Sequence, residues 1–277
     1  MIFYFSGTGN SRWAAIQLST ATKERLVNIA DYAGQLSAHQ DIEPFTLQEG
    51  ERLGFVFPVH GWRVPRLVRQ FILSLTVRKA STEDGASHDK PFCYALCTAG
   101  DSIGKTIDTL NATLRQNTSL QSLGINEVSS AYSLIMPESY VGLPFMDVDP
   151  KDKEKRKKEV AAQQLKTICQ DIVLRKQGQF HLTLGVLPWL MTQVVGGFFE
   201  HVLITDKRFH IAPDRCVKCG ICANVCPVGD IDGGKGKLPQ WLHHDDCLTC
   251  FTCYHHCPRH AIEFGHQTQH KGQYYFK

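Results

Sequence analysis

The stretch IFYFSGTGNS, residues 2–11, runs a short apolar segment straight into a turn of glycines and hydroxyls. Aromatic and β-branched residues favour a buried strand, and glycine gives the backbone freedom for a tight exit. Arg12–Thr20 then reads as a helix. Strand, glycine turn and helix in this order gather backbone N–H groups at the helix N-terminus, where an anion such as a phosphate is favoured.

The pattern repeats along the first half. Candidate strands Ile2–Phe5, Leu26–Ile29, Leu53–Phe57, Phe92–Cys97 and Ala131–Met136 alternate with helix-like Arg12–Thr20, Pro65–Leu75 and Ile103–Leu114, and a segment near Leu120. Such alternation predicts an α/β fold with a parallel sheet covered on both faces. Five strands fit a flavodoxin-like order, 2-1-3-4-5, with a ligand crevice at the carboxyl ends of strands one and three.

The turn's chemistry narrows its ligand. A dinucleotide fingerprint needs G-x-G-x-x-G, but Arg12 stands where the third glycine belongs. The turn also contains no lysine, as a triphosphate loop would. A helix dipole is worth only about 0.3–1 kcal/mol to an exposed anion. The hydroxyls of Ser6, Thr8 and Ser11 and the amide of Asn10 are therefore expected to supply most of the directed bonding, as suits one terminal phosphate such as that of FMN. The later AGDSIGKT, residues 99–106, ends like a triphosphate loop but has Ala99 in place of its first glycine. It reads instead as backbone lying along a planar ligand. FPVHGWRVPRLV, residues 57–68, ends the third strand in the same crevice. Its Trp62 can face a ring or serve as a buried anchor, and His60 is the sole candidate proton donor there.

Of 277 residues, 43% are hydrophobic and 21% charged, with a net charge of +3. These are values of a globular protein, and the near-balance gives no argument for nucleic acid. No basic-then-apolar leader opens the chain, so a cytoplasmic location is expected. PKDKEKRKKEV, residues 150–160, reads as the exposed start of a helix reaching about Arg175, its charges solvated or offered to an acidic redox partner. Residues 182–199, LTLGVLPWLMTQVVGGFF, lack formal charge but carry Pro188 and three glycines. A buried or interdomain helix is expected there rather than a membrane span, with a membrane-surface element as the alternative.

Eight of the eleven cysteines lie between residues 216 and 257. In a reduced compartment, such density points to metal before disulfide. CVKCGICANVCPVGDI (216–231) and CLTCFTCYHHCPRHAI (247–262) align without a gap at an offset of 31 residues. Each reads C-x2-C-x2-C-x3-C-P, the bacterial [4Fe–4S] spacing, whose fourth cysteine serves the other cluster. One cluster then takes Cys216, Cys219, Cys222 and Cys257; the other takes Cys247, Cys250, Cys253 and Cys226. Zinc sites use separated C-x2-C pairs and need no third cysteine at the same interval. His255 and His256 read as cover for a cluster, and Cys93, Cys97 and Cys169 as inert small hydrophobes.

FSGTGNS, FPVHGWRVPR, CTAGDSIG and the two cysteine motifs together resemble the flavodoxin–ferredoxin fusion proteins of anaerobic bacteria, over nearly the whole chain. The resemblance implies a flavodoxin-like FMN-binding domain (1–149), a helical bridge (150–205) and a small α+β ferredoxin domain (206–277) with two [4Fe–4S] clusters. It implies FMN phosphate at Ser6, Thr8, Gly9, Asn10 and Ser11, with ring contacts from loops holding His60, Gly61 and Trp62 and Thr98, Ala99 and Gly100. The function expected is electron transfer between clusters and an FMN that exchanges electrons singly or in pairs with a redox protein. The alternative is a flavin-dependent reductase of a small-molecule acceptor, supplied by its own ferredoxin domain.

Overall fold

The structure is a computed structural model and describes residues 1–80 and 90–276. Its central sheet is assembled from β1 (Ile2–Tyr4), β2 (Leu26–Asn28), β4 (Leu53–Pro58), β6 (Cys93–Ala99), β7 (Ser130–Ile135) and β8 (Phe180–His181). The order is β2-β1-β4-β6-β7-β8, and every pairing is parallel. The expected five-stranded sheet is thus corrected to six. The added strand β8 is two residues long, too short to show a period in sequence. Two further short strands, β3 (Phe45–Leu47) and β5 (Val77–Lys79), pair with each other outside the sheet.

Successive side chains of a strand point to opposite faces, and the two cores follow that period. Phe3, Phe5, Phe55, Phe57, Ala95 and Cys97 face one side. There they meet α3 (Arg66–Ser74) and α4 (Thr106–Leu114) through Phe71, Ile72 and Leu110. Ile2, Val56, Tyr94, Leu96 and Tyr132 face the other side, under α1 (Asn10–Thr22) and α6 (Lys151–Val173). In α6 the apolar residues Ala161, Leu165, Ile168 and Ile172 share that buried stripe, while most of the preceding lysines are in solvent. The short helices α2 (Ala33–Ser37) and α5 (Thr118–Ser122) complete this half.

A helical stretch then crosses the carboxyl end of the sheet. It begins as α7 (Pro188–Leu190), widens into π-type turns at Met191–Val195, continues as α8 (Gly196–Phe198) and widens again at Phe199–Leu203. Glu200 anchors it, bonding Arg63 at 2.8 Å and also Arg69. The fully buried Thr192 donates to the Trp62 carbonyl at 3.2 Å and accepts from Lys105 N–H at 2.8 Å. Burial holds for this inner face only; Trp189, Val194, Phe198 and Val202 on the outside are more than half exposed. Among the described residues no helix is long and apolar enough to cross a membrane.

The cysteine-rich end contains β9 (Phe209–Ile211), α9 (Ile221–Val225), β10 (Ile231–Asp232), β11 (Gln240–Trp241), α10 (Thr252–His256) and β12 (Ile262–Phe264). β9 pairs antiparallel with β12, and β10 with β11. The 31-residue offset recurs in the backbone. Lys218 and Thr249 both have positive φ, as do Gly220 and Phe251, and Gly229 and His260. At Gly220 a side chain is barred, since a Cβ would stand 2.9 Å from the Gly234 carbonyl carbon. Phe251 adopts the same left-handed backbone with φ 57°, at a cost of about 1–2 kcal/mol. Its ring is 1% exposed against Phe209, Tyr254 and Phe264, and burial worth about 1.5–3 kcal/mol offsets the strain.

Candidate functional site

The first loop is an open helix N-terminus. Gly9, at φ 93°, caps α1 with no side-chain hydrogen bond and no acidic residue in the first turn. The uncapped N–H groups of that turn are the donors an anion would use. Gly9 N–H donates to Ser6 Oγ at 3.1 Å, which curls the loop. The Thr8 side chain reaches the cavity described below, and no hydrogen bond to its hydroxyl is found among the described residues.

Two other loop residues are committed to the protein. The Asn10 amide donates to the Pro137 carbonyl at 3.2 Å, and its Oδ1 accepts from the Tyr274 hydroxyl at 2.6 Å. Ser11 Oγ and Thr98 Oγ1 share a hydrogen bond of 2.7 Å. Asn10 and Ser11 therefore set the shape of the loop, leaving its backbone, Ser6 and Thr8 to meet a ligand.

A cavity of about 420 Å³ opens beside this loop at the carboxyl edge of the sheet. Ser6, Thr8, Asn10 and Ser11 line it with His60, Gly61 and Trp62 after β4 and Thr98, Ala99 and Gly100 after β6. Of the expected flavin-site residues only Gly9 is missing from the wall, because its α-carbon faces the C-terminal tail at Phe276. The inner face of 188–203 covers the cavity with Met191, Val195, Phe199 and Leu203.

His60 is held neutral, since burial lowers its pKa to about 4, so near neutrality it lacks the acidic imidazolium proton a general acid would give up. Trp62, half-buried, lines the cavity, and its Nε1 donates to Ser102 Oγ at 3.0 Å. Glu138, after β7, was not legible as a site residue. Its Oε1 accepts from the N–H groups of Ser139 and Tyr140 at 2.8 and 2.9 Å, and burial pushes its pKa up. Lys157, from within the charge run, donates to the Gly100 carbonyl at 2.7 Å and to Asp149 at 2.6 Å. One lysine of that run thus anchors a cavity loop. In the GKT sequence, Thr106 is fully buried and donates to the Ile103 carbonyl, while Lys105 pairs with Asp108.

The cysteines fall into two groups that cross the motifs. Cys216, Cys219, Cys222 and Cys257 line one small cavity. Cys226 instead lies with the second motif. Burial, and then the neighbouring Cys250, pushes its thiol up to about 11. Burial followed by Cys250, Cys247 and Cys226 raises Cys253 likewise. Facing thiols this deeply buried disfavour one another as thiolates unless positive charge stands among them, which fits an iron–sulfur group. Backbone N–H groups point at the crossing sulfurs: Asp230 at Cys226, 3.3 Å, and Ala261 at Cys257, 3.1 Å. Among the described residues no three His, Cys, Asp or Glu side chains are grouped as around a single metal ion.

The two regions share a wall. Cys250, with Leu248 and Thr249, lines the 420 Å³ cavity beside the first loop. A Cβ on Gly7 would stand 3.2 Å from Cys250 Cβ. His255 is a connector: Nε2–H donates to the Ser139 carbonyl at 2.7 Å, and Nδ1 accepts from Tyr274 N–H at 3.1 Å, a tautomer assigned from these partners. His256 stacks on Tyr275, ring centroids 4.3 Å apart. Cys93 and Cys97 are fully buried in β6, where burial raises both thiols, Cys93 to about 12, and burial raises Cys169 as well.

Residues 208–258 match the family described as the 4Fe-4S dicluster domain. A ferredoxin from Megasphaera elsdenii is 54% identical over 28 residues, 10% of this chain and 52% of the ferredoxin, so the chain spans about half the length of that relative. An uncharacterized protein from the rpl9-rpl11 intergenic region of Porphyra purpurea is 30% identical over 64 residues, 21% of this chain and 75% of that protein. Among solved structures, a protein from Bacteroides uniformis described as a candidate flavoprotein is aligned over 44% of this chain and 93% of its own. Its identity is 15% and the TM-score 0.28, a likeness that carries no argument.

Proposed function

We propose, for a chain that carries a 4Fe–4S dicluster ferredoxin domain at its C-terminal end, an iron–sulfur flavoprotein that transfers electrons between two [4Fe–4S] clusters and FMN. In this reading residues 1–149 bind FMN, 150–205 bridge, and 206–277 hold the clusters. Cys216, Cys219, Cys222 and Cys257 would hold one cluster, and Cys247, Cys250, Cys253 and Cys226 the other. A cubane passes single electrons, whereas a flavin exchanges them singly or in pairs, which adapts the protein to either kind of redox partner.

The observation that carries the proposal is the shared wall: Cys250 and the glycine turn line the same cavity. The chain's own residues fit the parts. The uncapped first turn of α1, Ser6 and Thr8 would hold the phosphate. The loops at His60–Trp62 and Thr98–Gly100 would flank the ring, and Met191 and Phe199 would exclude water from above. Anaerobic purification followed by iron, acid-labile sulfide and flavin assays tests this directly. Eight irons with one FMN are expected; iron without flavin after reconstitution with FMN would remove the flavin half.

A second reading, direct reduction of a small molecule at the flavin, is favoured by one feature. Glu138 is a carboxyl in the cavity wall whose proton is retained to higher pH by burial. Sustained reoxidation of the reduced protein by one small oxidant, slowed by Glu138→Gln, would select this reading over a pure carrier.

A further inference from the structure

The stretch 186–202 has a second apolar face that nothing among the described residues covers. Val186, Leu190, Val194, Phe198 and Val202 recur every fourth residue and are 84, 40, 54, 57 and 54% exposed. Trp189, at 62%, and Leu187, at 64%, flank the row. From Leu190 to Val202 a four-residue interval lies between the 3.6 residues of an α-turn and the wider π-turn, so the mixed winding keeps that part of the row nearly straight, and Val186 precedes it across the left-handed Leu187. The opposite face lines the cavity with Met191, Val195, Phe199 and Leu203, so the helix is apolar on two faces, with Thr192 and Glu200 bonded inward between them. A helix with its inner apolar face already packed needs cover for the outer one.

Three properties of this face identify its cover. The seven side chains expose roughly 800 Å², the area each partner contributes to a standard-size interface and more than the largest patch of most monomers. The row carries no lysine or arginine, the residues with which a helix lying on a lipid surface is normally rimmed. The one carboxylate of the stretch, Glu200, is turned away and bonded to Arg63 and Arg69. The row is also self-complementary. A two-fold axis at Val194 sets Leu190 against the partner's Phe198 and Val194 against the partner's Val194, the reciprocity an isologous contact requires.

We propose that residues 186–202 form a homodimer interface, two copies packing this face antiparallel about a two-fold axis at Val194. The partner is a second copy of this chain. Because Met191, Val195 and Phe199 of the same helix line the cavity, association also fixes the cavity's roof. The proposal does not depend on which ligand the cavity takes.

Light scattering on the full chain, purified anaerobically with its cofactors and eluted from a sizing column at low and high micromolar concentration, tests it. The expected result is the mass of two copies, falling to one in Val194→Glu and in Val194→Lys while iron content and circular dichroism are retained. Mixing these two variants should restore the two-copy mass, since position 194 meets itself across the axis and the charges become opposite. Should both substitutions disturb folding, Val186→Glu, at the most exposed position, supplies the monomerising test. A one-copy mass for the wild type at both concentrations would overturn the proposal. So would a two-copy mass that persists in every folded variant, or cosedimentation of a one-copy wild type with phosphatidylcholine or phosphatidylglycerol vesicles.

Discussion

Gly7 and Cys250 meet without a side chain between them: a Cβ on Gly7 would lie 3.2 Å from Cys250 Cβ and 3.1 Å from Thr252 Oγ1. The glycine of the first loop therefore has a role the loop alone does not display. It lets the second cysteine turn, some 240 residues later, close one side of the cavity. Enlarging it is expected to force the two loops apart. Gly7→Val should lower unfolding stability by about 1–3 kcal/mol, the usual cost of overpacking. Denaturant titration with intact iron content measures this; a stability equal to wild type would place slack where the structure has contact.

In the proposed reading the first loop divides into residues that would meet the phosphate and residues that hold the loop. Thr8→Val is expected to weaken FMN retention by about tenfold, as for one lost hydrogen bond to a charged group, with iron unchanged. Tyr274→Phe should act differently. It leaves Asn10 Oδ1 without its 2.6 Å donor in a buried site, costing about 1–3 kcal/mol of stability. Flavin fluorescence on dilution and thermal unfolding separate the two effects.

The crossing of the cysteines has a spectroscopic consequence. Cys226→Ala is expected to damage the cluster of Cys247, Cys250 and Cys253, while Cys257→Ala damages that of Cys216, Cys219 and Cys222. Electron paramagnetic resonance of the reduced variants distinguishes the centres. Loss of the first-motif cluster in Cys226→Ala would reverse the assignment.

His60 gives a pH dependence. Its folded pKa, about 4, lies below the ordinary 6.5, so the unfolded chain binds the proton more readily. The neutral imidazole's contribution is complete above pH 6.5 and is lost as pH falls toward 4, an effect of about 2–3 kcal/mol. The stability difference between wild type and His60→Gln should narrow by that amount between pH 7 and pH 4. Acid loss of iron, common to both proteins, cancels in the difference.

The parallel sheet was legible because short apolar runs alternate with helix-length segments, and the cluster site because eight cysteines repeat at one offset. Phe180–His181 was not, since two residues contain no period. Glu138 and Lys157 escaped for another reason. A glutamate after a strand and one lysine among many look solvated in sequence, and only the fold brings them to Gly100. Asn10 was expected at the phosphate from its amide and from the family resemblance, neither of which shows what else holds it. Its partners, Pro137 and Tyr274, lie 127 and 264 residues away, where no local pattern can find them.

From Ser139 through His255 and Tyr274 to Asn10, hydrogen bonds tie a cavity loop, a cysteine helix, the tail and the first turn in one unbroken series. Redox modules joined by a swinging tether must diffuse into register before each transfer, and thickened solvent slows them. This connection leaves no swing to make. Internal exchange in the loaded protein should keep its rate when glycerol is added, so that viscosity slows only the encounter with an outside partner.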